Sequence, residues 1–227
     1  MSEPLPVRAV IFDVDGTLVD SLAAYRVVAE RAAAAYGLTI SDAVVREALN
    51  TTRSFWDIAL PADFPDRAQA METLRRETVR LWPGVLREHG RVCGEAAQVL
   101  TTLKARGAKL GIMTGSRRAS LAALDRAGLL DMFDAIVTRE EVARRKPDPE
   151  GLLTCASRLE VAPRDAAYVG DTPLDVQAAR AAGMAAIGIL TGAGDSALLT
   201  AAGADRLVAS LGDLPQIVTI VHLTCRP

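Results

Sequence analysis

The chain begins with a short apolar run at 7–12, VRAVIF, that stops at the polar stretch Asp13-Val14-Asp15-Gly16. A run of this length, rich in β-branched residues and closed by a carboxylate and a glycine, predicts a buried strand entering a tight loop. The pattern then changes. From about 21 to 91, apolar positions recur at helical spacing, as at Val27, Val28, Ala32, Ala35 and Tyr36. Gly37, 50–52, 61–65 and Pro83-Gly84 punctuate this stretch, which predicts several helices with no strand between them. Beyond 92 the two periods alternate. Helices are expected at 95–106, 116–127, 149–159, 173–182 and about 196–202. Strands are expected at 109–114, 135–138, 167–170, 185–189 and, weakly, 206–208. The tail at 218–227 fits either an extension of the last helix or an edge strand.

Strands alternating with helices at this spacing predict an α/β fold, a Rossmann-like parallel sheet with flanking helices. The helical block interrupts the series after the first strand. It therefore reads as an inserted helical cap over 21–91, with 1–20 and 92–227 forming the core. A chain of 227 residues suits a main domain carrying a smaller one. Half of the residues are hydrophobic but only 4% are aromatic, so Ala, Val and Leu must supply most of the packing.

The formal charge of −2 lacks the basic footprint of a nucleic-acid binder. The run Arg144-Arg145-Lys146 is too short to change that, and its two arginines read as a solvated turn. Cys93, Cys155 and Cys225 are odd in number and show no CxxC spacing. Neither a disulfide framework nor a zinc site is expected, and reduced thiols fit a cytoplasmic location. The N-terminus has no basic segment followed by a long apolar run, and no stretch is apolar for long enough to span a bilayer, so neither secretion nor membrane insertion is expected. Monomer and homodimer remain equally open.

Ligands of open α/β sheets bind beyond the carboxyl ends of the strands. Asp13 and Asp15 follow the first expected core strand, Thr114 and Gly115 the second, Lys146 the third, and Asp171 and Asp175 the fourth. Neighbouring strands would bring them into one crevice. Three close carboxylates, Asp13, Asp15 and Asp171, need a compensating cation or protons. Mg2+ is suited, because it takes oxygen ligands and keeps water that a phosphate can replace. Thr114 offers a hydroxyl donor, Gly115 lets a backbone N–H approach an anion, and Lys146 adds a positive charge. Such a set suits a transferring phosphoryl group. Plainer readings stand beside this one. The aspartates also suit turns, Thr114 the N-cap of the next helix, Lys146 the surface and Asp175 the first turn of a helix. Thr17 is expected to fix its loop through a side-chain hydrogen bond, and Ser21 to cap the first inserted helix. His89 and His222 have no ligand spacing around them and read as non-catalytic. Phe55-Trp56-Asp57 reads as core of the insertion.

The run from Phe12 through Asp13, Asp15, Gly16 and Thr17 to Ser21 resembles the first signature of the haloacid dehalogenase-like hydrolase superfamily. Thr114 resembles the second, Lys146 with Pro147-Asp148-Pro149 the third, and Gly170-Asp171-Thr172-Pro173-Leu174-Asp175 the fourth. The motifs follow in order over nearly the whole chain. The resemblance implies that Asp13 attacks phosphorus and that Asp15 serves as acid and base. It implies that Asp13, the Asp15 carbonyl and Asp171 hold Mg2+, with Asp175 behind them. Gly16, Thr114, Gly115 and Lys146 would meet the phosphate. Asp15 argues against the metal-free dehalogenase and phosphonate hydrolase branches. Tyr25 stands where similar sugar phosphomutases carry a histidine, which weakens that alternative and favours a phosphatase similar to phosphoglycolate phosphatases. Two positions depart from the family pattern. The Pro-Gly common before re-entry is replaced by Val92-Cys93-Gly94, and Gly115 stands where an asparagine is common. The substrate would be a small phosphorylated metabolite, with Tyr25, Thr51, Thr52 and Arg53 facing it from the cap. A binding or regulatory protein on the same scaffold is the alternative from another class.

Overall fold

The computed structural model describes residues 3–221. The first apolar run divides into β1 (Leu5–Val7) and β2 (Ala9–Phe12) instead of forming one strand. The cause is a change of partner. β1 leaves the main sheet and pairs in parallel with the last strand, β10 (Val218–Ile220), which settles the first part of the tail as an edge strand. His222 and Cys225 lie outside the described residues.

After β2 come β3 (Val19–Asp20) and four helices, α1 (Leu22–Ala33), α2 (Asp42–Leu49), α3 (Phe55–Ala59) and α4 (Arg67–His89). The chain re-enters through β4 (Arg91–Val92), which pairs antiparallel with β3, Val19 opposite Val92 and Asp20 opposite Arg91. The departing and returning strands of the helical insertion are thus tied to each other. Pro83 does not break α4, although the sequence placed a punctuation there. A proline forfeits one hydrogen bond. The residue that loses it, Val79, is 60% exposed, so water can take the freed carbonyl. The insertion has its own core around Ala33, Val45, Trp56 and Leu74, and Trp56 donates its indole N–H to Thr78 Oγ1 at 3.1 Å.

The remaining chain alternates. It runs through α5 (Ala96–Ala105), β5 (Lys109–Met113), α6 (Ala122–Arg126), β6 (Ala135–Val137), α7 (Glu150–Arg158), β7 (Ala166–Gly170), α8 (Pro173–Ala182), β8 (Ala185–Ile189), α9 (Ser196–Ala202), β9 (Arg206–Val208) and α10 (Leu214–Ile217) before β10. Six strands form one parallel sheet in the order β6-β5-β2-β7-β8-β9. Side chains alternate across it. Val10 and Phe12 pack with Leu100, Leu103 and Leu124 on one face, while Ala9 and Ile11 pack with Leu152, Cys155 and Val176 on the other. Burial on both faces explains why the strands read as continuous apolar runs. The helix expected at 116–127 is shorter, a 3-10 turn at Arg118–Leu121 followed by α6. Residues before it are held in a loop instead: Ser116 N donates to Thr114 Oγ1 and Ser116 O accepts from Arg139 N. Among the described residues no helix is long and apolar enough to cross a membrane.

Candidate active site

The order of the central sheet reverses between β2 and β7: the chain first builds outward through β5 and β6, then through β8 and β9 on the other side. Such a switch point leaves a crevice beyond the strand ends. β2 delivers Asp13 and Asp15 there, β5 delivers Thr114 and Gly115, and β7 delivers Asp171. These residues, with Gly16, Lys146 and Asp175, line one cavity of about 450 Å³. Tyr25, Thr51, Thr52 and Arg53 of the insertion line the same cavity from above. The convergence expected from the strand ends is therefore present.

Lys146 is the hub. Its Nζ donates to Asp13 Oδ1 at 2.9 Å and to Tyr168 OH at 3.1 Å, and it forms a further ion pair with Asp175 Oδ1. All three of its protons therefore have protein partners, and Lys146 is buried, not a surface lysine. The Tyr168 O–H donates in turn to the Met113 carbonyl at 2.8 Å. Asp175 faces two ways. Its Oδ2 accepts from Thr172 N and Oγ1 at 2.9 and 2.6 Å, a capping box at the start of α8, while Oδ1 faces Lys146. The helix-cap reading of Asp175 therefore holds, and the same side chain also pairs with Lys146.

Asp13, Asp171 and Asp175 bring carboxylate oxygens within 4.8 Å of one another. Asp171 Oδ2 accepts from Ala193 N at 2.8 Å, but Asp171 Oδ1 is buried with no partner among the described residues. Burial, with Asp175 and Asp13 acting the same way, holds Asp171 well above the usual carboxylate range. Burial likewise pushes Asp13 up to about 7 against the pull of Lys146. One lysine does not neutralise this group of acids. Buried oxygens without a partner suit a hard divalent cation such as Mg2+. Asp13 and Asp171, with Asp175 beside them, could hold such a cation.

The Asp15 side chain stands apart from that cluster. Its Oδ2 accepts from Ser116 Oγ at 2.5 Å, and its Oδ1 has no hydrogen-bond partner among the described residues. Burial raises its pKa, while the Ser116 hydrogen bond and the charge of Lys146 oppose the shift. Ser21 occupies the N-cap position of α1, yet its hydroxyl makes no capping bond and is buried without a partner among the described residues. The expected cap is thus only positional. Thr114 does not cap the next helix, because a turn intervenes. Its oxygen accepts from Ser116 N at 3.1 Å, leaving its own O–H to donate into the cavity. Thr17 also departs from expectation: its hydroxyl is buried without a partner among the described residues, and the loop is held by Thr17, Leu18 and Val19 N–H groups donating to the Val14 carbonyl. Gly16 needs φ +78°, and a Cβ there would run into the Asp171 carboxylate.

Some members of the site gave no sequence signal. Tyr168 reads as a strand residue, Ser116 as helix, and Arg145 as a solvated turn, yet Ser116 and Arg145 line the cavity and Tyr168 supports Lys146. Only the register of β7 against β2, Phe12 opposite Val169, shows where Tyr168 reaches. Arg53 lines the cavity, but its guanidinium is engaged by Glu47 Oε1 at 3.3 Å. His89, at the end of α4, is not among the lining residues.

Residues 7–183 match the family model of haloacid dehalogenase-like hydrolases. Phosphoglycolate phosphatase of Escherichia coli O157:H7 is 28% identical, covering 98% of this chain and 96% of its own length. The plasmid phosphoglycolate phosphatase of Cupriavidus necator is 32% identical, covering 96% of both. Among solved structures, β-phosphoglucomutase from Clostridium difficile superposes with a TM-score of 0.75 over 92% of this chain and 93% of its own, at 22% identity, a likeness of fold alone.

Proposed function

Because the chain belongs to the haloacid dehalogenase-like hydrolase family, we propose that it hydrolyses the phosphate ester of a small metabolite, with Asp13 as nucleophile and Mg2+ as the bound cation. The observation that carries the reading is Asp13 itself: buried at the sheet's switch point, held at Oδ1 by Lys146, and facing a cavity that the acid Asp15 also lines. With Oδ1 occupied, Oδ2 is the oxygen left to attack phosphorus. The P–O bond to the alcohol breaks as Asp15 gives its proton to the leaving oxygen. Water then attacks the aspartyl phosphate while Asp15 takes a proton back. Burial raises the Asp15 pKa and so favours the protonated form that the first step requires. Thr114 O–H and the backbone N–H of Gly115 face the equatorial phosphate oxygens. Mg2+, when bound, supplies positive charge that offsets the charge of the phosphoryl group and of the carboxylates around it.

The helical insertion serves as a cap that closes the cavity and excludes water. Substrate choice falls to Tyr25, Thr51, Thr52 and Arg53, which line its roof. The relatives named phosphoglycolate phosphatase make phosphoglycolate the first substrate to test. Arg53, released from Glu47, would meet a substrate carboxylate with its two parallel N–H donors. A screen of phosphorylated metabolites with Mg2+, read as inorganic phosphate release, tests the reading. Conversion of a sugar phosphate into its isomer without phosphate release would favour a mutase. No turnover of any ester by folded protein would favour a binding role.

A further inference from the structure

A short loop after β8 separates helix α2 of the cap from Asp171. Its residues Gly192, Ala193 and Gly194 are buried. The peptide joining Gly192 to Ala193 is held at both ends: its N–H donates to Asp171 Oδ2 at 2.8 Å, and its carbonyl accepts from Arg46 Nη1 at 2.8 Å. The next peptide repeats the arrangement. Gly194 N–H donates to the main-chain carbonyl of Asp171 at 2.9 Å, while Ala193 O accepts from Arg46 Nη1 at 3.2 Å and from Asn50 Nδ2 at 3.1 Å. Two consecutive peptides are therefore gripped by the cap on their carbonyl side and by Asp171 on their N–H side. A guanidinium on a carbonyl polarises the peptide and strengthens the bond its N–H donates. The contact leaves no slack, since a Cβ at Gly192 would run into the Asp171 carboxylate.

We propose that Arg46 and Asn50 are positioning residues that latch the closed cap to this loop and, through its two peptides, hold Asp171 in place for the divalent cation. This rests on Asp171 being a cation ligand, as in the proposed function. Cap closure and cation binding then favour each other by the same factor, since coupling between two sites is reciprocal. Arg46 is exposed to solvent, which moderates the coupling. Its charge is positioned to act on Asp171 through the peptides, without direct contact.

The test is Mg2+ binding measured by calorimetry without substrate, on wild type, Arg46→Met, Arg46→Lys and Arg31→Met. Arg31 pairs with Glu88 inside the cap at 2.7 Å and serves as the control for general loosening of the cap. Arg46→Met is expected to weaken Mg2+ binding about five- to tenfold. Arg46→Lys recovers part of the loss, and Arg31→Met stays near wild type. Amide exchange in EDTA reads the relay without metal: the Ala193 and Gly194 amides exchange about tenfold faster in Arg46→Met. Either change without the other, or neither, overturns the latch. Wild type that fails to bind Mg2+ overturns the cation reading and the latch with it, whereas equal binding by wild type and Arg46→Met overturns the latch alone. Should Arg46→Met not fold, Asn50→Ala removes one bond to the Ala193 carbonyl and is read by the same two measurements, with a smaller loss in the same direction expected.

Discussion

Replacing Lys146 by Met removes the only cation among the described residues that pairs with the carboxylates Asp13 and Asp175, while keeping most of the side-chain volume. The three side chains are 12%, 7% and 1% exposed, so water cannot substitute for the lost charge. At an effective dielectric near 20, the 2.9 Å pair with Asp13 alone corresponds to about 6 kcal/mol of attraction, before the desolvation of both ions is subtracted. Removing one partner of such a pair costs about 3–5 kcal/mol, because the other charge stays buried. Urea denaturation of wild type and Lys146→Met in EDTA at pH 8 measures the difference. The sign of its pH dependence follows from linkage. Asp13 is already pushed up to about 7 in the folded protein. The variant loses the opposing pull of Lys146, so its folded-state pKa rises further. The folded variant then binds more protons than the unfolded chain, and stability increases as pH falls from 8 toward the unfolded carboxylate range. The deficit should therefore be largest at pH 8 and shrink by pH 5.5. Saturating Mg2+ should also reduce it. A loss below about 1 kcal/mol at pH 8, or the same loss at both pH values, would mean that Lys146 contributes packing and not charge.

Three further outcomes follow from the same geometry. Chelating the divalent cation should lower the melting temperature, since a ligand at about 100 times its Kd adds about 2.7 kcal/mol to the folded state; identical melting curves with Mg2+ and with EDTA would contradict the site. Gly16→Ala, forced to φ +78° with its methyl against Asp171, should lose about 1–3 kcal/mol and most turnover, measured by denaturation and phosphate release. Burial pushes the Cys155 thiol up to about 12, so iodoacetamide at pH 8 should leave Cys155 unmodified in the native protein and alkylate it only after denaturation, as read by peptide mapping.

Local pattern carried much of this molecule. The order of strands and helices, the insertion after the first core strand and the aspartates at strand ends are all properties of short windows, and the structure places Asp13, Asp15, Thr114, Lys146, Asp171 and Asp175 in one crevice. Expectations failed where distant residues decide. Arg8 looks like the middle of a strand, but the pairing of β1 with β10, about 200 residues away, splits it off. Pro83 looks like a helix end, but packing of α4 against α1 carries the helix through it. Ser116 looks like helix, but the carboxylate of Asp15 and the Thr114 hydroxyl take its polar groups. Tyr168, Arg46 and Asn50 bond partners 22, 146 and 143 positions away, a separation no periodicity encodes.

Covalent catalysis at Asp13 is tested by stopping the enzyme during turnover of a phosphate ester with Mg2+ and mapping its peptides. Acid quenching should preserve a phosphoryl group on the peptide that contains Asp13, and hydroxylamine should convert that same residue to the hydroxamate. Asp13→Asn should show neither, with turnover reduced about 1,000-fold or more. Steady phosphate release with no modification of Asp13, or an Asp13→Asn variant within about tenfold of wild type, would contradict the nucleophile.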